Sequence, residues 1–163
     1  MKLDKNPAAF LDTTFLLPFF QIDISIEAFD LNKYREFITI LSEAHLSELS
    51  IFEAKAKLFR LSTKDATYKQ ALEAFGNNLA ILREDEKFIF HPYTKHDDTY
   101  FNLISAKNLG FDSFDTIILA QALDVGILIT EDKEMLNIRN QEAFVKDPLL
   151  GKMMIKRWKE LSQ

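Results

Sequence analysis

Cysteine is absent from the 163-residue chain, which removes disulfides, thiolate metal centres and cysteine nucleophiles at once. A reducing, cytoplasmic setting fits that composition. Glycine and proline are scarce, four of each, and no stretch reads as a linker, a repeat or a low-complexity tract. No apolar run is long enough to cross a membrane or to serve as a signal peptide; Leu16-Leu17-Pro18-Phe19-Phe20 is short and broken by proline. A basic excess is missing too. The formal charge is −5, which argues against a protein that coats nucleic acid non-specifically. No Walker-type glycine loop and no GxSxG motif occurs, so the chemistries those motifs carry have no support.

What is present is core material: 47% hydrophobic residues, including 15 Phe, enough for one domain spanning residues 1–163. Strand patterns are expected at Ala8–Asp12, Ile22–Ile26, His45–Ser50, Lys87–Phe90 and Ile127–Thr130. Helices are expected after Asp30 or Asn32, from Ser50, from Ser62 or Thr63 to about Gly76-Asn77-Asn78, after Thr94 and after Asp112 or Ser113. The tail at about 151–162 has Met154, Ile155, Trp158 and Leu161 at helical spacing and reads as a basic amphipathic helix. Strands alternating with helices, without hairpin turns, imply an α/β three-layer sandwich: a central, mainly parallel sheet with helices on both faces.

Four acids stand out by position. Asp12 and Asp132 follow buried-strand patterns, Ala8-Ala9-Phe10-Leu11 and Ile127-Leu128-Ile129-Thr130. Asp115 and Glu53 sit at expected helix starts. In a parallel sheet the carboxyl ends of the strands share one edge, where ligands bind. Acids gathered there repel one another unless a cation neutralises them, so a divalent-metal site is the economical account. Each acid also has an ordinary structural role: Asp12 and Asp132 as helix caps, Asp115 in a first helical turn, Glu53 as the partner of Ser50 in a capping box. Converging on one edge, they favour the metal site.

Other acids and the histidines carry less. The acids of His96-Asp97-Asp98 fit the first turn of a helix capped by Thr94, Glu131 and Glu134 are expected to stay solvated, though Glu134 could reach the site, and His45 and His91 have no ligand partner at telling spacing. Five bases against two acids between Lys146 and Gln163, and Lys55, Lys57 and Arg60 after Glu53, would suit a polyanion; solvated helix faces are the plainer account of each lysine.

Phe10-Leu11-Asp12-Thr13-Thr14, Ser50-Ile51-Phe52-Glu53, Phe114-Asp115-Thr116-Ile117-Ile118-Leu119-Ala120-Gln121-Ala122 and Ile127-Leu128-Ile129-Thr130-Glu131-Asp132 resemble, in that order, the acidic motifs of PIN-domain ribonucleases. The resemblance implies a PIN-like sheet and a Mg2+- or Mn2+-dependent endoribonuclease. Asp12, Glu53, Asp115 and Asp132 then form the catalytic set, with Asp12, Asp115 and Asp132 on the metal and Thr13, Thr14 and Thr130 in support. Lys55, Lys57, Arg60, Lys156 and Arg157 are the candidates for holding RNA. Many members are homodimeric toxins of type II toxin–antitoxin pairs, inhibited by a small antitoxin; others process RNA outside such pairs. Met135, where an aromatic often follows the last Asp, and the distinctive segments 15–45 and beyond Asn140 depart from the pattern. A non-catalytic RNA- or protein-binding domain of this fold is the alternative. A phosphatase using Asp12 as nucleophile would need a second Asp where Thr14 stands.

Overall fold

The computed structural model describes residues 6–161. Five short strands form one sheet: β1 Ala9–Leu11, β2 Ala44–Ser47, β3 Phe88–His91, β4 Ile127–Ile129 and β5 Met154–Lys156. Their spatial order is β3-β2-β1-β4-β5, and every pairing is parallel. Side chains alternate across the strands. Ala9, Leu11, Ala44, Leu46 and Ile129 enter one core, whereas Phe10, Leu128 and Ile155 enter the other. The first core is closed by α1 Thr13–Leu16, α2 Leu31–Ile40, α3 Glu48–Ser62 and α4 Thr67–Glu84. The second is closed by α5 Lys95–Ser105, α6 Ser113–Ala122, α7 Lys133–Ile138 and α8 Glu142–Val145. This is the expected three-layer sandwich.

Several local expectations give way to tertiary packing. The tail is not a helix. It forms a 3-10 turn at Leu150–Lys152, then β5, then a 3-10 turn at Trp158–Glu160; Ser162 lies outside the described residues. The spacing of Met154, Ile155 and Trp158 also suits a three-residue strand followed by a turn, and the open edge of β4 offers backbone partners that a surface helix would leave unused. Thus Met154 N donates to Gly126 O at 2.9 Å, and Thr130 N donates to Lys156 O at 2.9 Å. Gly151 is needed just before the strand, because a Cβ there would stand 2.3 Å from the Val145 carbonyl oxygen. Trp158 then anchors the tail: it is 1% exposed, meets the rings of Phe15, Phe29, Tyr34 and Phe37, and donates from Nε1 to Ala28 O at 3.0 Å.

The Ile22–Ile26 alternation forms no strand and joins neither open edge of the sheet, β3 or β5. Its isoleucines instead pack as a loop against the first core. α3 runs on to Ser62, and α4 begins at Thr67 and continues through Gly76-Asn77-Asn78 to Glu84. Phe75, Leu79 and Leu82 keep one face of α4 on the core, which outweighs the cost of about 1 kcal/mol for an interior glycine. Ser50 does not cap a helix. The cap of α3 is Ser47, whose Oγ accepts from Leu49 N at 3.2 Å, and Ser50 is buried one turn further on.

α5 starts on the expected residue. Thr94 and Asp97 cap it reciprocally, with Asp97 Oδ2 accepting from Thr94 N at 2.6 Å. Thr94→Ala should cost about 1 kcal/mol, read as a melting point lower by roughly 2–4 °C. An unchanged melting point would mean that α5 does not depend on this cap.

Candidate active site

The four acids meet at the carboxyl edge of the sheet. Asp12 follows β1 directly and caps α1, its Oδ1 accepting from Thr13 N at 2.6 Å. Thr130, fully buried just past β4, donates its hydroxyl to the other oxygen of Asp12 at 2.7 Å. Asp132 caps α7, its Oδ1 accepting from Glu134 N and Met135 N at 2.8 and 2.9 Å. Asp115 lies in the first turn of α6, below the Asp112 cap. Glu53 projects from the second turn of α3 and accepts from the Thr13 hydroxyl, which also bonds Ser50 Oγ at 2.8 Å. All four acids, with Thr13, Thr14, Lys57, Arg60 and Glu131, line one cleft of about 390 Å3, walled by Leu17 and Ile118.

Burial and crowding set the electrostatics. Desolvation pushes the Asp12 carboxyl up to about 6, and the neighbouring Glu53 and Asp132 push the same way; hydrogen bonds from Thr130 and Thr13 only partly offset this. Asp115 is pushed up to about 7, first by desolvation and then by Asp112, Asp132, Asp12 and Glu134. The starts of α1 and α7, capped by Asp12 and Asp132, turn positive ends to the cleft, but that is too little to offset four carboxylates.

The donor set is one of hard oxygens, carboxylates and hydroxyls, the chemistry that Mg2+ and Mn2+ select over zinc. Two of its carboxyls, those of Asp12 and Asp115, are held back from ionising, first by desolvation and then by the neighbouring acids. In chemistry, then, the residues fit a divalent ion. In arrangement they are parted: among the described residues no three acidic or histidine side chains stand close enough to grip a single ion. The hydrogen bonds account for this. Both oxygens of Asp12, Oδ1 of Asp132 and Oε2 of Glu53 are each turned toward a protein donor.

Of the candidate RNA-holding residues, Lys57 and Arg60 line the cleft. Lys55 does not: its ammonium lies 5.6 Å from the centre of the Phe75 ring, toward α4. Lys156 closes β5, and Arg157 pairs with Glu131 at 3.1 Å. Glu131, expected to be solvated, is instead drawn inward by Arg157 and by Trp158 N, which donates to its Oε1 at 2.7 Å. That role depends on a tail 26 residues away, and nothing around Glu131 in the sequence signals it. Glu134 acts on Asp115 through its charge without lining the cleft. Ser50 also joins the site, through Thr13. His45 and His91 are brought together as well, Nδ1 to Nε2 at 2.7 Å, on adjacent strands. Burial and His45 hold His91 below the ordinary histidine range.

Fold and site together define an α/β domain of the PIN-like class, with an acidic cleft at its sheet edge. The PIN domain model matches residues 9–141, and the chain belongs to the PIN-domain family. A crystal structure of VapBC2 from Rickettsia felis, bound to a DNA fragment from their promoter, contains a chain of the same fold. It superposes with a TM-score of 0.58 at 12% identity, covering 93% of this chain and 98% of that one. No curated protein matches this sequence.

Proposed function

We propose that this protein is a Mg2+- or Mn2+-dependent endoribonuclease. The observation that carries the reading is the meeting of Asp12, Glu53, Asp115 and Asp132, from four separate elements, in one cleft. Asp12, Asp115 and Asp132 would hold the ion, after small side-chain rotations that exchange protein donors for metal. When bound, the ion lowers the pKa of a water for attack on phosphorus and offsets charge on the phosphate oxygens. The chain's own residues do the positioning. Thr130 orients Asp12, Thr13 ties Glu53 to the start of α1, and Lys57 with Arg60 face the substrate's phosphates. Labelled RNA incubated with Mn2+ or with EDTA tests the reading: fragments should form only with Mn2+, and no cleavage under either condition would overturn it.

A non-catalytic RNA- or protein-binding role is the second reading. It rests on the parted carboxylates, of which Asp12, Asp132 and Glu53 are already turned to protein donors. The same incubation decides between the two.

We also propose that the protein is the toxin of a type II pair, a homodimer restrained by a small antitoxin. Two observations support it. The chain has the fold of a protein crystallised as VapBC2, and the outer face of α3 exposes Phe52 and Phe59 (69% and 59%). Exposed phenylalanines two turns apart suit a protein partner. The rival, an RNA-processing nuclease without an antitoxin, would be favoured if the protein expressed alone left growth unimpaired. Among the described residues no helix is long and apolar enough to cross a membrane.

Lys57 and Arg60 give a further expected result. Replacing both by Gln should weaken binding of single-stranded RNA and flatten its dependence on salt by about 0.7 in log–log slope per lost phosphate contact. Arg157 and Lys159 are less suited to that role, being paired with Glu131 and Glu27. An unchanged slope would show that phosphates do not reach Lys57 and Arg60.

A further inference from the structure

Beside the acidic cleft, across Glu131, lies a second hollow of about 490 Å3; Glu131 lines both. Ile26 and Leu136 give it apolar surface, and Asn137, Asn140, Lys133 and Arg157 give it polar groups. The Asn137 and Asn140 amides are exposed at its rim and hydrogen-bond no other described side chain or backbone group. Arg157 is held in place by Glu131, while its Nε is buried with no hydrogen-bond partner. Arg157 comes from beyond residues 9–141, the span that the PIN domain model matches.

The chemistry of the hollow selects its occupant. Its three bases are largely spoken for, Arg139 by Glu160 and Arg157 by Glu131, and Glu27 stands on the same border, so the lining does not call for a phosphate. A planar, neutral group with several donors and acceptors would suit the two amides, and its face would suit the guanidinium and the apolar surface. Nucleobases are such groups: proteins read single-stranded RNA by splaying bases out, stacking them on arginine planes and hydrogen-bonding their edges. We infer that this hollow receives the base of a nucleotide neighbouring the scissile phosphate, making Asn137 and Asn140 specificity-determining residues. This rests on the ribonuclease reading above. The phosphate backbone would lie over the acidic cleft, with the adjoining base turned past Glu131.

Fluorescently labelled RNA octamers, all-A, all-C, all-U and alternating A/G, test the subsite by anisotropy in EDTA, where no cutting is expected. The parent should prefer one octamer by about tenfold, the discrimination that a well-placed amide contact supplies. The N137A/N140A variant should lose that preference; both side chains are exposed, and a thermal melt verifies its fold. Equal affinity of the parent for all four octamers, or an unchanged ranking in a folded variant, would overturn the subsite while leaving Mn2+-dependent cleavage untouched. Failure of the parent to bind or cleave any RNA would overturn the ribonuclease reading and the subsite with it.

Discussion

Asp12→Asn and Asp115→Asn are each expected to reduce Mn2+-dependent RNA cleavage by a factor of about a hundred or more, in proteins that remain folded. Changes in groups that merely orient a metal ligand cost about 10–100-fold, so loss of a ligand's charge should cost at least as much. The two sites differ in an instructive way. Asp12 is wrapped by Thr13 and Thr130, and Asn preserves the acceptor that caps α1. Asp115 accepts no side-chain hydrogen bond from the described residues, so its replacement changes charge with little change in structure. Single-turnover rates on labelled RNA, with circular dichroism to verify folding, give the measurement. Undiminished cleavage by both variants would remove the acidic cleft from the mechanism.

Stability should report the same cluster through pH and metal. Asp12 ionises at about 6 in the folded chain against 3.8 ordinarily. Between those values the folded state holds a proton that the unfolded state has released, so stability falls as pH rises through that window and levels off above about 6. Asp115, raised to about 7, extends the decline upward. For Asp12 the shift corresponds to roughly 2–3 kcal/mol lost between pH 4 and pH 7.5. Metal-free Asp12→Asn should therefore melt at or above the parent at pH 7.5 and show a shallower pH dependence.

Mn2+ at a hundredfold excess over its dissociation constant should stabilise the parent at pH 7.5 by roughly 2.7 kcal/mol, or about 5–10 °C. The variant should lose most of that gain. Thermal melts of both proteins in EDTA and in Mn2+ separate two roles for Asp12. A variant that melts lower without metal, yet keeps the full Mn2+ shift, would make Asp12 a helix cap and nothing more.

The features legible in the sequence were those that depend on neighbouring residues. Asp12, Asp30, Thr94, Asp112 and Asp132 cap helices at or near the expected places, because capping needs only a side-chain oxygen beside the helix's first free N–H groups. The short apolar run at Ile127–Ile129 forms a strand because it is bounded by Gly126 before it and by Thr130 and Asp132 after it. Alternation of strands and helices implied a parallel sheet. A parallel sheet in turn obliges strand ends to share an edge, which is why residue order alone brings Asp12 and Asp132, 120 residues apart, to the same edge.

Tertiary structure decided whatever depends on a competitor elsewhere in the chain. Met154, Ile155 and Trp158 have a spacing that serves helix or strand, and the unpaired edge of β4 settled Met154–Lys156 as β5. Gly76 would end an isolated helix, yet the core beneath Phe75 and Leu79 carries α4 past it. Glu131 turned from solvent to a wall between two hollows because Arg157 and Trp158 arrive beside it. His45 and His91 touch only because β2 and β3 are neighbours. Raised carboxyl pKa values likewise follow from desolvation by packed neighbours, a property of the folded interior rather than of residue order. Local order therefore determined the caps, the strand ends and the acids' shared edge; long-range packing alone decided their charge state, their surroundings and the second hollow beside them.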